Sequence, residues 1–261
     1  MCCSEAPQKT SHMPDIADNH RPSIPILVYH QISEAPPKGA PFRGLYVAPR
    51  AFARQMAWLK RLGYQGLSMS ALLPFLQGRR SGKVVGITFD DGYRNNLTHA
   101  LPVLQHHGFS STCYVVSHLL GKTNEWDREI GIAQVPLMSA AELRLWVAGG
   151  QEVGSHTQNH VRLLQTDATT ALAEMTQDKA ALESLLATPV HHFCYPYGEY
   201  AAQHVAMARQ TGFQTVTTTR RGRSAVNGDL LELPRVPVVR STSLPVFWLK
   251  IATAYEDRDR A

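Results

Sequence analysis

Cysteine is scarce: there are four in 261 residues, Cys2 and Cys3 adjacent at the start and Cys113 and Cys194 inside apolar runs. That usage forms neither a disulfide framework nor a CxxC metal knuckle, and a reducing compartment is the simpler setting. Long apolar runs are lacking too. No stretch approaches the ~20 apolar residues that a bilayer span requires. The opening residues carry Glu5, Lys9, Asp15 and Asp18 and no apolar segment of the kind that directs secretion. The expectation is a cytoplasmic protein, at most peripheral to the inner membrane. Charge is sparse at 18% and leans positive by +5. Basic residues cluster only at Arg79-Arg80 and Arg220-Arg221-Gly222-Arg223. Without an aromatic-interleaved basic stripe, nucleic acid is not an expected partner. The positive balance suits a phospholipid surface or a lipid-phosphate-linked substrate. Internal repeats and low-complexity segments are absent.

What is present fits one α/β domain. The hydrophobic fraction of 44% supplies a sizeable core, and barrels of this class routinely occupy this length as a single unit. The expected organisation is a loose tail over residues 1–22, a folded domain over 23–255 and a solvated end over 256–261. Short β-branched runs predict strands at 26–29, 84–89, 112–116, 152–155, 192–195, 215–219 and 236–239. Helical spacing appears at 49–62, 95–107, 140–148, 167–186 and 201–211, with Asp167 as an N-cap and Gly63, Gly108 and Gly212 as stops. Such alternation predicts a parallel α/β barrel or a doubly wound sheet.

The reactive side chains fall at one edge of that fold. His30, Asp90-Asp91, His156 and Tyr197 all sit at or just past the C-terminal ends of predicted strands, where parallel α/β folds assemble their sites. Successive side chains of a strand point to opposite faces. Asp90 and Asp91 therefore serve one site only if the backbone turns, which Gly92 permits. Two adjacent carboxylates repel, and a cation beside one of them resolves the conflict; taken alone, Asp-Asp-Gly is equally a turn after a strand. His156 and His160 lie four apart after another strand, and in a helical turn both imidazoles would converge on one ion. Two histidines and a carboxylate leave positions open for water, as a catalytic metal needs.

Thr88-Phe89-Asp90-Asp91-Gly92-Tyr93, then His156-Thr157-Gln158-Asn159-His160, then Phe193-Cys194-Tyr195-Pro196-Tyr197-Gly198 resemble the motifs of the polysaccharide deacetylases of the NodB-homology type, carbohydrate esterase family 4. The likeness spans roughly residues 26–239. It implies a distorted (β/α) barrel in a single domain and removal of N-acetyl groups from N-acetylhexosamine units of a polysaccharide or lipid-linked sugar in envelope or exopolysaccharide metabolism. It implies Asp90 as general base, Asp91, His156 and His160 as ligands of a divalent metal, and the Tyr197 backbone N–H as oxyanion donor. Zinc is the first expectation for the metal, with cobalt, nickel or manganese as alternatives.

Two departures stand out. Typical members take their general acid from a Leu-x-His segment near the C-terminus, where this chain reads Leu233-Pro234-Arg235-Val236. His30 is the replacement candidate, because the opening Tyr29-His30 resembles the branch containing poly-β-1,6-N-acetylglucosamine deacetylases. Where typical members place an arginine that orients the base, this chain has Cys194; Arg235, following a late strand, is the candidate to reach the same carboxylate. Cys113 and Cys194 otherwise read as core residues. Trp126 is either a sugar-stacking platform or packed under its own loop. His99, His106, His107, His191 and His192 default to surface or structural positions. Two other readings stay open: a catalytically silent glycan-binding protein that kept the ligand triad, and a cyclic-amide or imide hydrolase of the same fold.

Overall fold

The computed structural model describes residues 22–257, and the expected tail over 1–21 lies outside them. Eight parallel strands run in chain order: β1 (Ile26–Tyr29), β2 (Gln65–Leu67), β3 (Val84–Phe89), β4 (Thr112–Val115), β5 (Glu152–Ser155), β6 (His192–Cys194), β7 (Thr215–Arg221) and β8 (Leu233–Pro237). Their spatial order is β1-β8-β7-β6-β5-β4-β3-β2, and a further β1–β3 pairing closes all but β2 into a barrel. Strand β2 adds to the outer edge of β3. Seven α-helices are described: α1 (Pro49–Arg61), α2 (Met69–Leu76), α3 (Leu101–His107), α4 (Ala140–Ala148), α5 (Ala168–Leu186), α6 (Ala202–Gln210) and α7 (Leu244–Ala252).

Alternation along the strands sorts side chains between two apolar layers. Val85, Ile87 and Phe89 of β3 face outward and join Phe52 and Met56 of α1 and Trp146 of α4 in one cluster. Tyr29, Phe52, Phe89 and Trp146 pack there ring against ring, at centroid separations of 5.2 to 5.9 Å. Each such buried side chain contributes roughly 1.5–3 kcal/mol. The opposite parity faces inward, where Ile26, Tyr114, Cys194 and Leu233 share a second cluster with α2. Gly154 makes room for Tyr114, since a Cβ there would lie 2.4 Å from its ring.

Most predicted elements recur within a residue or two, and the exceptions have local causes. The last barrel strand begins at Leu233, three residues before the expected 236, because Pro234 argues against an earlier start and the barrel tolerates it. Arg235 therefore lies inside a strand rather than after one. Helices α2 and α7 escape periodicity because both are apolar nearly all round, with Pro74 inside the first and a proline opening the second. The helix expected over 95–107 opens as a π turn at Asn96–Ala100, and only then continues as α3. There the buried Asn96 side chain donates to the His30 carbonyl at 2.8 Å and accepts from the Ile32 N–H at 3.2 Å. Of the residues expected in the two ends, the described ones are tied to the domain: the Pro22 carbonyl accepts from Val226 N–H at 2.8 Å, and Glu256 is buried, paired with Lys250 and with Arg221 at 2.9 Å. Residues 258–261 lie outside the described part.

Candidate active site

Asp90 ends the inward face of β3 and meets Arg235 from the inward face of β8. The guanidinium grips the carboxylate with two parallel bonds of 2.7 Å, Nη1 to Oδ1 and Nη2 to Oδ2. Its other donors go to Thr88 Oγ1 (3.1 Å), the Thr218 carbonyl (2.8 Å) and the Cys194 sulfur (3.1 Å), so Arg235 is saturated in a site where it is 1% exposed. Burial alone would raise the Asp90 pKa; the Arg235 charge and hydrogen bonds outweigh it and hold the carboxyl below its ordinary value. The carboxylate thus stays ionised. His30, whose side chain is 25% exposed, brings Nε2 to 4.0 Å from Asp90 Oδ2. Cys194 stands 3.8 Å from the same oxygen, so the residue read as plain core touches the site.

Asp91 turns away from Asp90 because the backbone enters the left-handed region at Asp91 itself (φ 74°) and again at Gly92 (φ 78°). The turn begins one residue earlier than the glycine suggests. The histidine pair also converges differently from expectation: 156–160 is irregular loop, not a helical turn, and Thr157 (φ 64°) and His160 (φ 57°) are both left-handed. Tyr197 is a fourth such residue (φ 58°), so the site holds four of the seven positive-φ non-glycine residues among those described. Each such conformation costs of order 1–3 kcal/mol. Strain of this kind persists only where the surroundings over-determine it.

The result is a triangle of donors. His156 Nε2 and His160 Nε2 each stand 3.4 Å from Asp91 Oδ1. That is longer than a hydrogen bond. It matches the separation of about 3.4 Å between two donors each ~2.1 Å from one tetrahedral zinc-class ion. His156 Nδ1 lies 2.7 Å from the Cys194 carbonyl, which fixes Nδ1 as the protonated nitrogen and leaves the Nε2 lone pair facing Asp91. His160 Nδ1 is buried without a protein hydrogen-bond partner, and its ring stacks on Trp126 at 4.3 Å. Burial would raise Asp91, but both imidazoles outweigh it and hold its pKa well below the carboxylate range. Burial would lower His156, yet Cys194 and Asp91 raise it well above the ordinary imidazole value; in His160 burial, helped by His156, lowers it despite Asp91. Asp91, His156 and His160 fit a divalent cation. The alternative set of Asp90, His156 and Cys194 also clusters, but Arg235 already occupies Asp90.

Around this centre, the Tyr197 ring packs edge-on to His160 at 4.5 Å, with the Arg162 guanidinium over its face at 3.9 Å. Trp126 is thus packed on a histidine of the triad, and beside it Asp127 is pushed up by burial and by the Asp91 charge in spite of Asn124. Sequence reasoning passed over Glu174 and Asp178 of α5, both buried and both bonded to the loop that carries the two histidines. In the fold these two carboxylates sit on the face of α5 that also presents Ala171, Met175 and Leu182 to the interior. His192, left without a partner in the sequence, is fully buried at the other end of the barrel.

Known proteins resemble this chain in sequence and in fold. The sequence profile described as polysaccharide deacetylase matches residues 77–216, a span that holds Asp90 through Tyr197 but neither His30 nor Arg235. A provisionally named polysaccharide deacetylase of Bacillus subtilis (strain 168), YxkH, is 29% identical over 217 residues, covering 82% of this chain and 71% of that protein. The poly-β-1,6-N-acetyl-D-glucosamine N-deacetylase of Escherichia coli (strain K12) is 25% identical over 268 residues; the match covers 88% of this chain and 38% of that much longer enzyme. Among solved structures, the Streptococcus pyogenes deacetylase PplD in complex with acetate superposes with a TM-score of 0.78 at 26% identity, covering 88% of this chain and 99% of that one. With more than half its length matched by the family profile, and with the barrel to carry the motifs, this chain belongs to the polysaccharide deacetylases, hydrolases of the amide bond in N-acetylated sugars.

Proposed function

We propose that the chain removes N-acetyl groups from N-acetylhexosamine units of a polysaccharide or lipid-linked sugar, using one divalent cation, with zinc the first choice for this donor set. The observation that carries the reading is an ionised carboxylate, clamped by a buried guanidinium, directly beside a triangle of two imidazoles and a second carboxylate whose 3.4 Å separations suit a shared cation. Asp91, His156 and His160 would hold the cation, whose chemistry when bound is to polarise the amide carbonyl and lower the pKa of water towards ~7. Asp90 takes the proton of the attacking water on its carboxylate, and Arg235 keeps that carboxylate charged and aimed. The backbone N–H of Tyr197 donates to the oxyanion as the carbonyl becomes tetrahedral. His30, partly exposed and 4.0 Å from Asp90, then gives a proton to the departing amine nitrogen. The positive balance of +5 suits an anionic or membrane-associated acceptor.

Acetate release tests this, using the protein supplied with zinc, cobalt, nickel or manganese and offered chitooligosaccharides and poly-β-1,6-N-acetylglucosamine oligomers. Metal-dependent acetate is expected from at least one. Asp90→Asn should lower turnover by ~100-fold or more, and His30→Ala should lower it with metal content unchanged. Tight metal binding with no acetate from the whole panel would instead describe a glycan-binding protein.

A further inference from the structure

Two carboxylates stand one helical turn apart on the inner face of α5 with no ion-pair partner among the described residues. Asp178 is fully buried and Glu174 is 6% exposed. Both are hydrogen-bonded to the segment that ends β5 and carries His156 and His160. Asp178 Oδ2 accepts from Ser155 Oγ at 2.5 Å and from the His156 N–H at 3.1 Å, while Oδ1 accepts from the Ser117 N–H at 3.0 Å. Glu174 Oε2 accepts from the Asn159 N–H at 3.0 Å and Oε1 from Asn159 Nδ2 at 2.6 Å. Asp178 therefore holds the start of the His156-to-His160 loop and ties it to the loop after β4; Glu174 holds the residue before its end. We infer that Glu174 and Asp178 are positioning residues that clamp this loop in the shape that aims both imidazoles at Asp91.

The physical case rests on what each feature costs alone. A buried carboxylate without a counter-ion is unfavourable unless its acceptors are filled. At these α5 positions an apolar side chain would pack without that cost. The loop is unfavourable in its own way, with left-handed backbone at Thr157 and His160. Joined, the two offset each other: the loop supplies N–H groups that fill the carboxylates, and the carboxylates supply the anchors that keep it from relaxing. The 4-residue spacing of the helix matches the two ends of the loop, which is why a rigid element rather than another loop does the holding. Neither side chain reaches the donor triangle, so their effect is on ligand geometry.

The inference rests on the three-ligand reading above, and one titration separates them. Zinc affinity is measured on the full chain by competition with a chromophoric chelator, with thermal melting followed in the metal-free and zinc-loaded forms. Asp178→Asn and Glu174→Gln should each weaken zinc binding 10- to 100-fold and leave metal-free melting within a few degrees of wild type. Asn159→Ala, at an exposed position, removes the Nδ2 bond to Glu174 and the 3.2 Å contact of Oδ1 with His118 Nδ1; it should fold in any case and weaken zinc by about threefold to tenfold. Folded variants with wild-type affinity, Asn159→Ala included, overturn the clamp. Wild-type protein that binds no zinc, or an Asp91→Ala variant that binds as tightly as wild type, overturns the three-ligand reading itself.

Discussion

At the N-terminal mouth of the barrel, Glu152 and His192 close on Thr112, Thr215 and Ser70; at the C-terminal mouth, Asp91 meets His156 and His160. Both sets face inward from the same strands: Glu152 and His156 flank β5, and His192 begins β6 two residues before Cys194. At the N-terminal mouth the three hydroxyls, both His192 nitrogens and one Glu152 oxygen have protein hydrogen-bond partners. Glu152 Oε2 accepts from Thr112 Oγ1 at 2.5 Å and from the Ser70 N–H at 3.2 Å, while the two His192 nitrogens lie 2.8 Å from the Ser70 and Thr215 hydroxyls. Its single His-to-carboxylate approach of 3.4 Å is an addition to a ring that is already hydrogen-bonded. At the C-terminal mouth the 3.4 Å separations converge on one oxygen, His160 Nδ1 is unpartnered, and the backbone is strained. Histidine and carboxylate thus build a plug at one end and a site at the other. What separates them is whether hydroxyls and backbone N–H groups complete the network.

The comparison breaks most visibly in activity. Asp91→Ala should abolish metal binding and lower acetate release by about a thousandfold or more, the rate equivalent of several kcal/mol of lost transition-state stabilisation. His192→Ala at the opposite mouth should keep both metal content and turnover within about twofold, so equal losses in the two variants would erase the distinction.

Stability should respond in the opposite sense. Burial would raise Glu152, but His192, Ser70 and Thr112 outweigh it and bring its pKa to about 2, below the 4.5 of a free glutamate. A depressed carboxylate stabilises the fold fully above pH ~4.5, and that contribution fades as pH falls through ~2. Glu152→Gln should therefore remove up to about 3 kcal/mol at neutral pH. It should also flatten this part of the acid limb in urea titrations between about pH 5 and 2, with turnover at neutral pH unaffected. An unchanged acid limb would remove Glu152 from the plug.

The smallest effect belongs to Cys194. Its sulfur is a weak acceptor for Arg235 Nη2, which keeps its stronger bond to Asp90. Cys194→Ala should cost about 1 kcal/mol of stability and change turnover only a few-fold. A loss as large as that of Asp90→Asn would show that the sulfur, not Arg235 alone, holds the base.

The strands of the barrel were legible because both their faces are covered, so Val84–Phe89 reads as one buried apolar run. The carboxylate pair and the two histidines were legible because residue types and spacing carry them. The route by which the histidines converge was not: a spacing of four fits a helix, whereas the loop reaches the same end through two left-handed residues that no propensity foretells. Glu174 and Asp178 were missed because carboxylates on a 19-residue helix are ordinarily solvated, and only packing reveals that this face is turned inward.

Alone, the chain's order of residues determined the alternation of strand and helix, the edge at which reactive groups gather, and the candidate donors, an adjacent carboxylate pair and two histidines four apart. Tertiary structure decided the rest. Asp90 is oriented by Arg235, 145 positions away on β8, and the cysteine of the third motif touches both. The reason is closure: bringing β8 beside β1 sets side chains from both ends of the sequence into one interior, and distance along the chain carries no record of it.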